Sequence, residues 1–175
     1  LLVVDIEHFT RINDALSPEI GDQVLTEVAH RIERQAEEGD VAIRLGSDEF
    51  AVMLSGVSGA QAIDRAGELL AAFEVAIRVE DLSLNVDLNI GVVVYPEDGD
   101  APETLLRRAN LALSHARAGR ERVCAYQHGW DEQHLRRLAL SSAFREALQA
   151  EQITLAYQPK IPLADRANPG AEALV

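Results

Sequence analysis

The chain has 175 residues, 47% of them apolar and 26% charged, with a formal net charge of −13. That is enough for one ordinary domain, or one domain and a piece of another, and it excludes a disordered, collagen-like or low-complexity chain. The negative field repels phosphates and argues against a nucleic-acid partner, so any phosphate ligand has to be held locally by a cation or a few placed arginines. A single cysteine, Cys124, excludes an internal disulfide and a CxxC metal site. No apolar run approaches the roughly 18 residues needed to cross a bilayer.

Residues 1–6 read as a short buried strand that ends in a carboxylate. Asp14 to Ser17 reads as a break, and Ser17-Pro18-Glu19 as a helix start with Ser as N-cap and Pro at the first helical position. Val24, Leu25, Val28, Ala29 and Ile32 follow at helical spacing, which predicts a helix running to near Glu38. Val41 to Leu45 and Phe50 to Leu54 form two apolar runs around Gly46-Ser47-Asp48-Glu49, a β-hairpin pattern with a polar tip. A second long helix is expected over Gln61–Ile77, a long strand over Leu84–Tyr95, a third helix over Thr104–Arg117 and a closing strand over Arg122–Tyr126. The order predicts an α/β (α+β) sandwich: an antiparallel-rich sheet of about five strands with helices on its faces. No internal repeat is present.

After Tyr126 the composition changes. Residues 128–150 read as a polar linker helix rich in Arg and Glu, with Trp130 packing it. Residues 151–175 read as a strand over Ile153–Gln158 and the start of another from Ala171. This tail is too short to bury a core of its own. The chain opens and closes inside apolar runs, so it is expected to be a fragment of a longer protein.

Two acids, Asp48 and Glu49, sit at the hairpin tip, and strand 1 ends in Asp5 with Glu7 two residues on. Adjacent strand ends can bring Asp5 and Asp48 together. Like charges that close cost energy unless a cation neutralises them, and oxygen-only ligands suit Mg²⁺. The plainer alternative is a pair of solvated turn residues. The five histidines show no ligand spacing, and Cys124 reads as inert core.

Four ordered blocks resemble one family. Arg44-Leu45-Gly46-Ser47-Asp48-Glu49-Phe50 resembles the RxGGDEF signature of the GGDEF family, the diguanylate cyclases. Asp5 to Asp14 with Gly21-Asp22 resembles its DxDxFKxxND…GD block, Ile90 to Gly99 its SIGxxxYPxDG block, and Leu105 to Arg122 its LLxxADxALYxAKxxGRNR helix. The resemblance covers residues 1–127. In the tail, Tyr157-Gln158-Pro159 and Glu172-Ala173-Leu174 resemble the opening of an EAL domain, the cyclic-di-GMP phosphodiesterase module, so a GGDEF–EAL tandem is implied.

The resemblance implies GTP as substrate and cyclic di-GMP as product, with each half-site supplied by one subunit of a homodimer. Asp5, Asp48 and the carbonyl of Ile6 would hold Mg²⁺ or Mn²⁺. Asp48, with Glu49 beside it, would serve catalysis. Asn13 and Asp22 would read guanine, Gly46 and Ser47 would approach the phosphates, and Arg117 or Arg120 would clamp them. A complete EAL domain would bind cyclic di-GMP through Gln158 and hold metal through Glu172. A cytoplasmic setting is implied, with the parent either free or tethered to a membrane.

Several residues depart from the family pattern. Ser47 stands at the second signature glycine, where a Cβ obstructs phosphate approach or a positive φ. Thr10 replaces a Lys, Ser17-Pro18 replaces Gly-His, Asn110 replaces an Asp, and Arg117 replaces a Lys, with the loop before Gly119-Arg120 one residue short. Losing one electrostatic stabiliser of the Lys type costs about 3 kcal/mol, or about a hundredfold in rate. At the family's RxxD product site, Glu37 holds the Arg position before Asp40, which implies no product binding and a solvated helix end. Three readings of different class follow: a cyclase, a GTP-binding module that regulates an adjoining phosphodiesterase, and a purely structural dimerising domain. The departures favour the second over the first; Asp5, Asp48, Asn13 and Asp22 favour both over the third.

Overall fold

The computed structural model describes residues 1–119, 121–160 and 170–174. Two compact units divide it, residues 1–131 and 132–175. In the first, the strands β1 (Leu2–Ile6), β2 (Val41–Arg44), β3 (Glu49–Met53), β6 (Leu88–Val92) and β7 (Val123–Ala125) form one sheet in the order β2-β3-β1-β6-β7. Neighbours run antiparallel except β6 and β7, which are parallel. The expected fold class is the observed one.

β1 is central and every residue in it is buried. Side chains alternate faces along a strand. Leu2, Val4 and Ile6 therefore enter one core with Val24, Leu25, Val28 and Ile32 of α2 (Pro18–Gln35) and Ala62, Ala66 and Leu69 of α3 (Gly59–Ala71). Val3 enters the other core, beneath Ala109, Ala112 and Leu113 of α4 (Pro102–Ala118). Asp5 shares the parity of Val3, so it points to the α4 side of the sheet. Gly91 pairs with Val3 on that same face. A Cβ on Gly91 would lie 2.2 Å from the Ala109 carbonyl oxygen and 2.5 Å from the Leu113 nitrogen. Glycine is what lets α4 rest directly on β6.

α2 starts as its sequence predicts: the Ser17 hydroxyl accepts from the Ile20 N–H at 3.4 Å and Pro18 occupies the first turn. It ends at Gln35, three residues short of Glu38. Three elements differ from expectation. α1 (Phe9–Ala15) fills a stretch in which no helix was expected. The second helix stops at Ala71 instead of Ile77, because Arg31 of α2 donates to the carbonyls of Ala72, Val75 and Ala76 and pins the chain beyond it. The long strand expected over Leu84–Tyr95 is only the five-residue β6, and Leu84 instead closes a hairpin of β4 (Ile77–Val79) and β5 (Leu82–Leu84), where a helix end was expected over the first of these. Glu80 turns that hairpin in the left-handed region, at φ 51°.

α5 (Trp130–Gln149) begins where the first unit ends. Trp130, the first residue of that helix, stacks on His115 of α4, ring centroids 3.7 Å apart. Asp131 accepts from Arg108 at 2.8 Å and from the Tyr126 hydroxyl at 3.0 Å. In the second unit, β8 (Ala156–Lys160) and β9 (Gly170–Leu174) pair antiparallel, with Gln158 opposite Glu172, and every residue of both is exposed. No helix among the described residues is long and apolar enough to cross a membrane.

Gly91→Ala is expected to cost about 3 kcal/mol or more, since the added methyl meets helix backbone that cannot rotate away. Denaturant unfolding of the variant checks this; a midpoint unchanged from the parent would show that α4 does not rest on β6 as described.

Candidate functional site

Hairpin register decides which acid meets Asp5. β2 and β3 are joined by a short loop, and Arg44 braces it: Nε donates to the Gly46 carbonyl at 2.9 Å and Nη2 to the Ser47 carbonyl at 2.7 Å. β3 then pairs with β1 so that Glu49 lies directly across from Asp5. The Asp48 carbonyl accepts from the Ile6 N–H at 3.2 Å, which ties the loop to the end of the central strand. The Asp48 carboxylate accepts from the Ser47 hydroxyl at 2.6 Å. Asp5, Ile6, Gly46, Ser47, Asp48 and Glu49 thus lie at one end of the sheet, with Glu49 as the cross-strand partner of Asp5.

Asp5 is only 6% exposed. Burial pushes its carboxyl above the usual range; the adjacent Arg117 works against that, and the charges of Asp48 and Glu49 work with it. Arg117 rises from the last turn of α4. Its Nε donates to Asp5 Oδ2 at 2.9 Å, its Nη2 lies 2.5 Å from Oδ1, and Nη2 also lies 3.4 Å from Glu49 Oε1. Among the described residues no three His, Cys, Asp or Glu side chains converge as a ready metal cage. The donor set at the strand end is nevertheless all oxygen, which suits a hard divalent cation such as Mg²⁺, and at present a guanidinium supplies the positive charge there. Arg120, the alternative phosphate clamp, lies outside the described residues.

Asn13 lies on α1 and Asp22 in the first turns of α2. Asn13 faces Gly21: a Cβ on Gly21 would sit 1.8 Å from Asn13 Oδ1. That oxygen is buried and, among the described residues, has no hydrogen-bond partner. Such an orphan acceptor costs about 1–3 kcal/mol, so nothing local rewards this placement of the amide. Asp22 is exposed.

Ser47 departs from one expectation. Among the described residues the non-glycine positions with positive φ are His8, Glu80 and Glu151. Ser47 therefore needs no left-handed backbone, and only its Cβ and hydroxyl distinguish it from glycine. Two neighbours of the site were not singled out beforehand. Asn89, 4% exposed, pairs with Asp5 from the β6 side. Arg122 forms ion pairs with Glu7 and, at 3.4 Å, with Asp87. A polar residue inside the apolar run Leu88–Val94 was the available signal for Asn89. Arg122 had none beyond its charge. Cys124 lies half-buried on β7, where burial pushes its thiol up.

The profile of the family described as "Diguanylate cyclase, GGDEF domain" matches residues 1–122. The chain belongs to the GGDEF family. Among curated proteins it is 31% identical over 176 residues to MucR of Pseudomonas aeruginosa, a bifunctional diguanylate cyclase/cyclic di-GMP phosphodiesterase, covering all of this chain and 26% of MucR. It is 33% identical over 176 residues to the cyclic di-GMP phosphodiesterase NbdA of the same organism, covering all of this chain and 22% of NbdA. The solved GGDEF domain of TpbB (YfiN), also from that organism, superposes with a TM-score of 0.69 at 39% identity, covering 72% of this chain and 80% of that one. The chain spans about a quarter of the length of the curated relatives it matches.

This GGDEF domain carries a second charged cluster where α2 leads into β2. Asp40 was expected at a solvated helix end; its side chain is instead 3% exposed. It accepts from the N–H groups of Glu37 and Ser55, each at 3.0 Å, and from Arg65 of α3 at 2.9 Å. Arg65 also pairs with Glu37 at 2.9 Å and approaches Glu68 at 3.6 Å. Its charge is outnumbered by these acids. Burial raises the Asp40 carboxyl, but the donors from Glu37, Ser55 and Arg65 outweigh it and hold the group below the usual range. A depressed carboxyl stabilises the fold above its unfolded pKa, and that contribution is lost as pH falls through the lower folded value. Asp40→Ala is therefore expected to cost about 1–3 kcal/mol at neutral pH. The penalty should shrink below pH 3.8, as followed by urea unfolding across a pH series; a pH-independent penalty would contradict the charge-assisted network.

Proposed function

We propose that this domain binds GTP with a divalent cation, turns it over slowly or not at all, and serves cyclic-di-GMP signalling by regulating an adjoining EAL phosphodiesterase domain. The observation that carries the reading is the buried Asp5 set across from the hairpin that bears Asp48 and Glu49. Asp5, Asp48 and the Ile6 carbonyl hold the cation, which supplies charge neutralisation for the phosphates of GTP. The Gly46-Ser47 loop, braced by Arg44, lies along those phosphates, and Arg117 and Arg120 offer cationic forks to them. Asn13, whose Oδ1 has no partner to lose, turns with Asp22 to the guanine edge, where an amide and a carboxylate match its acceptor and N–H groups. Glu49 sits beside Asp48, where the attacking hydroxyl has to be activated.

Slow turnover follows from Thr10, which is exposed on α1 and uncharged where the family has a Lys. The tail supports the tandem: the match to MucR and NbdA runs through the whole chain, and Gln158 and Glu172 face each other on two paired strands whose described residues are all exposed. An isolated two-stranded hairpin is marginal in water, which calls for the rest of a domain around it. A second reading, an active cyclase working as a homodimer, is favoured by the relaxed backbone at Ser47 and by 42% identity over 115 residues to the diguanylate cyclase TpbB.

Calorimetric titration with GTP and Mg²⁺ is expected to show micromolar binding, and chromatography after incubation to show little cyclic di-GMP. Thr10→Lys combined with Ser47→Gly is expected to raise turnover by about a hundredfold. If the double variant still binds GTP and makes no product, the assignment of the defect to these two positions is wrong.

Gly21→Ala separates guanine binding from folding. The added methyl is favoured in a helix by about 1 kcal/mol, yet it takes the space now held by the Asn13 amide. GTP affinity is expected to fall by about tenfold or more, with the thermal midpoint held. Unchanged affinity would remove Asn13 from the guanine site.

A further inference from the structure

We infer that Arg117 is a resident cation in the metal corner of the free domain, and that it must leave Asp5 before a divalent ion binds there. The inference rests on the reading above, in which Asp5 is a metal ligand. It concerns what already occupies that ligand.

Both oxygens of Asp5 are engaged by one guanidinium edge, Nε on Oδ2 at 2.9 Å and Nη2 against Oδ1 at 2.5 Å. This is the side-on fork, in which a planar donor pair matches the two carboxylate oxygens. The same nitrogen reaches Glu49 across the register at 3.4 Å. The group thus meets the electrostatic demand that the strand end makes, and it places a positive charge on both oxygens, where it repels an incoming cation. A lysine at this position is a point charge on a flexible stem and cannot cover two oxygens from a fixed plane. The Lys-to-Arg departure is therefore a change in what blocks the carboxylate, with the charge kept.

The clamp is built to release. The Asp5 side chain is 9% exposed, whereas the Arg117 side chain is 43% exposed, so the arginine can swing into solvent while the carboxylate stays put. A triphosphate arriving at the Gly46-Ser47 loop offers the guanidinium a more highly charged oxyanion partner. Drawing Arg117 onto phosphate uncovers Asp5, and the ion then enters beside the anion it neutralises. Metal and nucleotide are coupled through this partner exchange, and the coupling acts equally in both directions. The free domain should bind a divalent ion weakly, and the nucleotide should recruit it.

The test is Mn²⁺ binding to the domain without nucleotide, read as loss of the free-ion signal in electron paramagnetic resonance at fixed ionic strength. Arg117→Lys is expected to tighten Mn²⁺ about fivefold and Arg117→Ala by more, within the usual range of coupling between two sites. Arg122→Ala is the control for charge alone: it removes a neighbouring cation from Glu7 and Asp87 without uncovering Asp5, and is expected to change affinity by less than about twofold. A non-hydrolysable GTP analogue should tighten Mn²⁺ more in the parent than in Arg117→Ala. If the parent binds Mn²⁺ and neither Arg117 variant binds it tighter, or if Arg122→Ala tightens it as much, the inference is overturned while the metal reading stands. If parent and both Arg117 variants, each folded by circular dichroism, all fail to bind millimolar Mn²⁺, Asp5 is not a metal ligand and both fall.

Discussion

A carboxylate at the buried end of the central strand constrains everything near it. β1 is flanked on both sides and covered on both faces, so Asp5 has little water to hold its charge. Side-chain alternation sends it to the α4 side, and the antiparallel register adds Glu49 on the same face. A charge in that position has to be met by a cation. The chain supplies one from 112 residues away, at the last turn of the helix that Gly91 allows to lie flat on the sheet. Helix packing, hairpin register and site electrostatics are thus aspects of one arrangement. Moving α4 off β6 would move Arg117 off Asp5.

Local signals made much of the fold legible. Ser17-Pro18 marks the start of α2 because the cap and the fixed proline φ are properties of two adjacent residues. β1 and the β2–β3 hairpin announce themselves by short apolar runs around a polar tip. α1 did not, since its seven residues carry two large apolar side chains and it begins at a left-handed His8 with no side-chain cap. The end of α3 was hidden for a different reason. Apolar residues continue at helical spacing through Ile77, and what stops the helix is tertiary, the Arg31 side chain collecting three carbonyls. Sequence spacing carries no record of such a donor.

The site divides along the same line. That Asp5 and the hairpin acids would meet was readable from strand ends and from the ordered motif blocks. Which acid would lie opposite was not, because adjacent residues on a strand differ by face and a one-residue slip of register exchanges them. Asp48 contributes its carbonyl to the Ile6 N–H, and Glu49 contributes the facing side chain. The motif block places Asn13 and Gly21 in one pattern, but the contact between them joins two helices across a turn whose geometry the spacing does not give. Ser47 shows the limit of motif reasoning in the other direction. A lost signature glycine suggests a forced conformation, yet the backbone there is ordinary and the consequence is confined to one hydroxyl held by Asp48.

Net charge gives these contacts a common logic. A chain at −13 that is to take an anionic ligand cannot rely on its overall field. Several of its arginines are instead committed one by one to internal acids or carbonyls: Arg65 to Asp40 and Glu37, Arg108 to Asp131, Arg122 to Glu7, Arg31 to the end of α3. Most of these pairs are anchored at both ends by further hydrogen bonds or by burial. Arg117 differs, because its partner is buried while it remains nearly half exposed. A cation held by one strong partner and nearly half open to solvent can exchange that partner for another without disturbing the fold. Affinity for a triphosphate is then set by the difference between two ion pairs, one already made inside the protein and one offered by the ligand. On the proposed reading, that difference, rather than the count of positive charges, is the quantity on which nucleotide binding would turn.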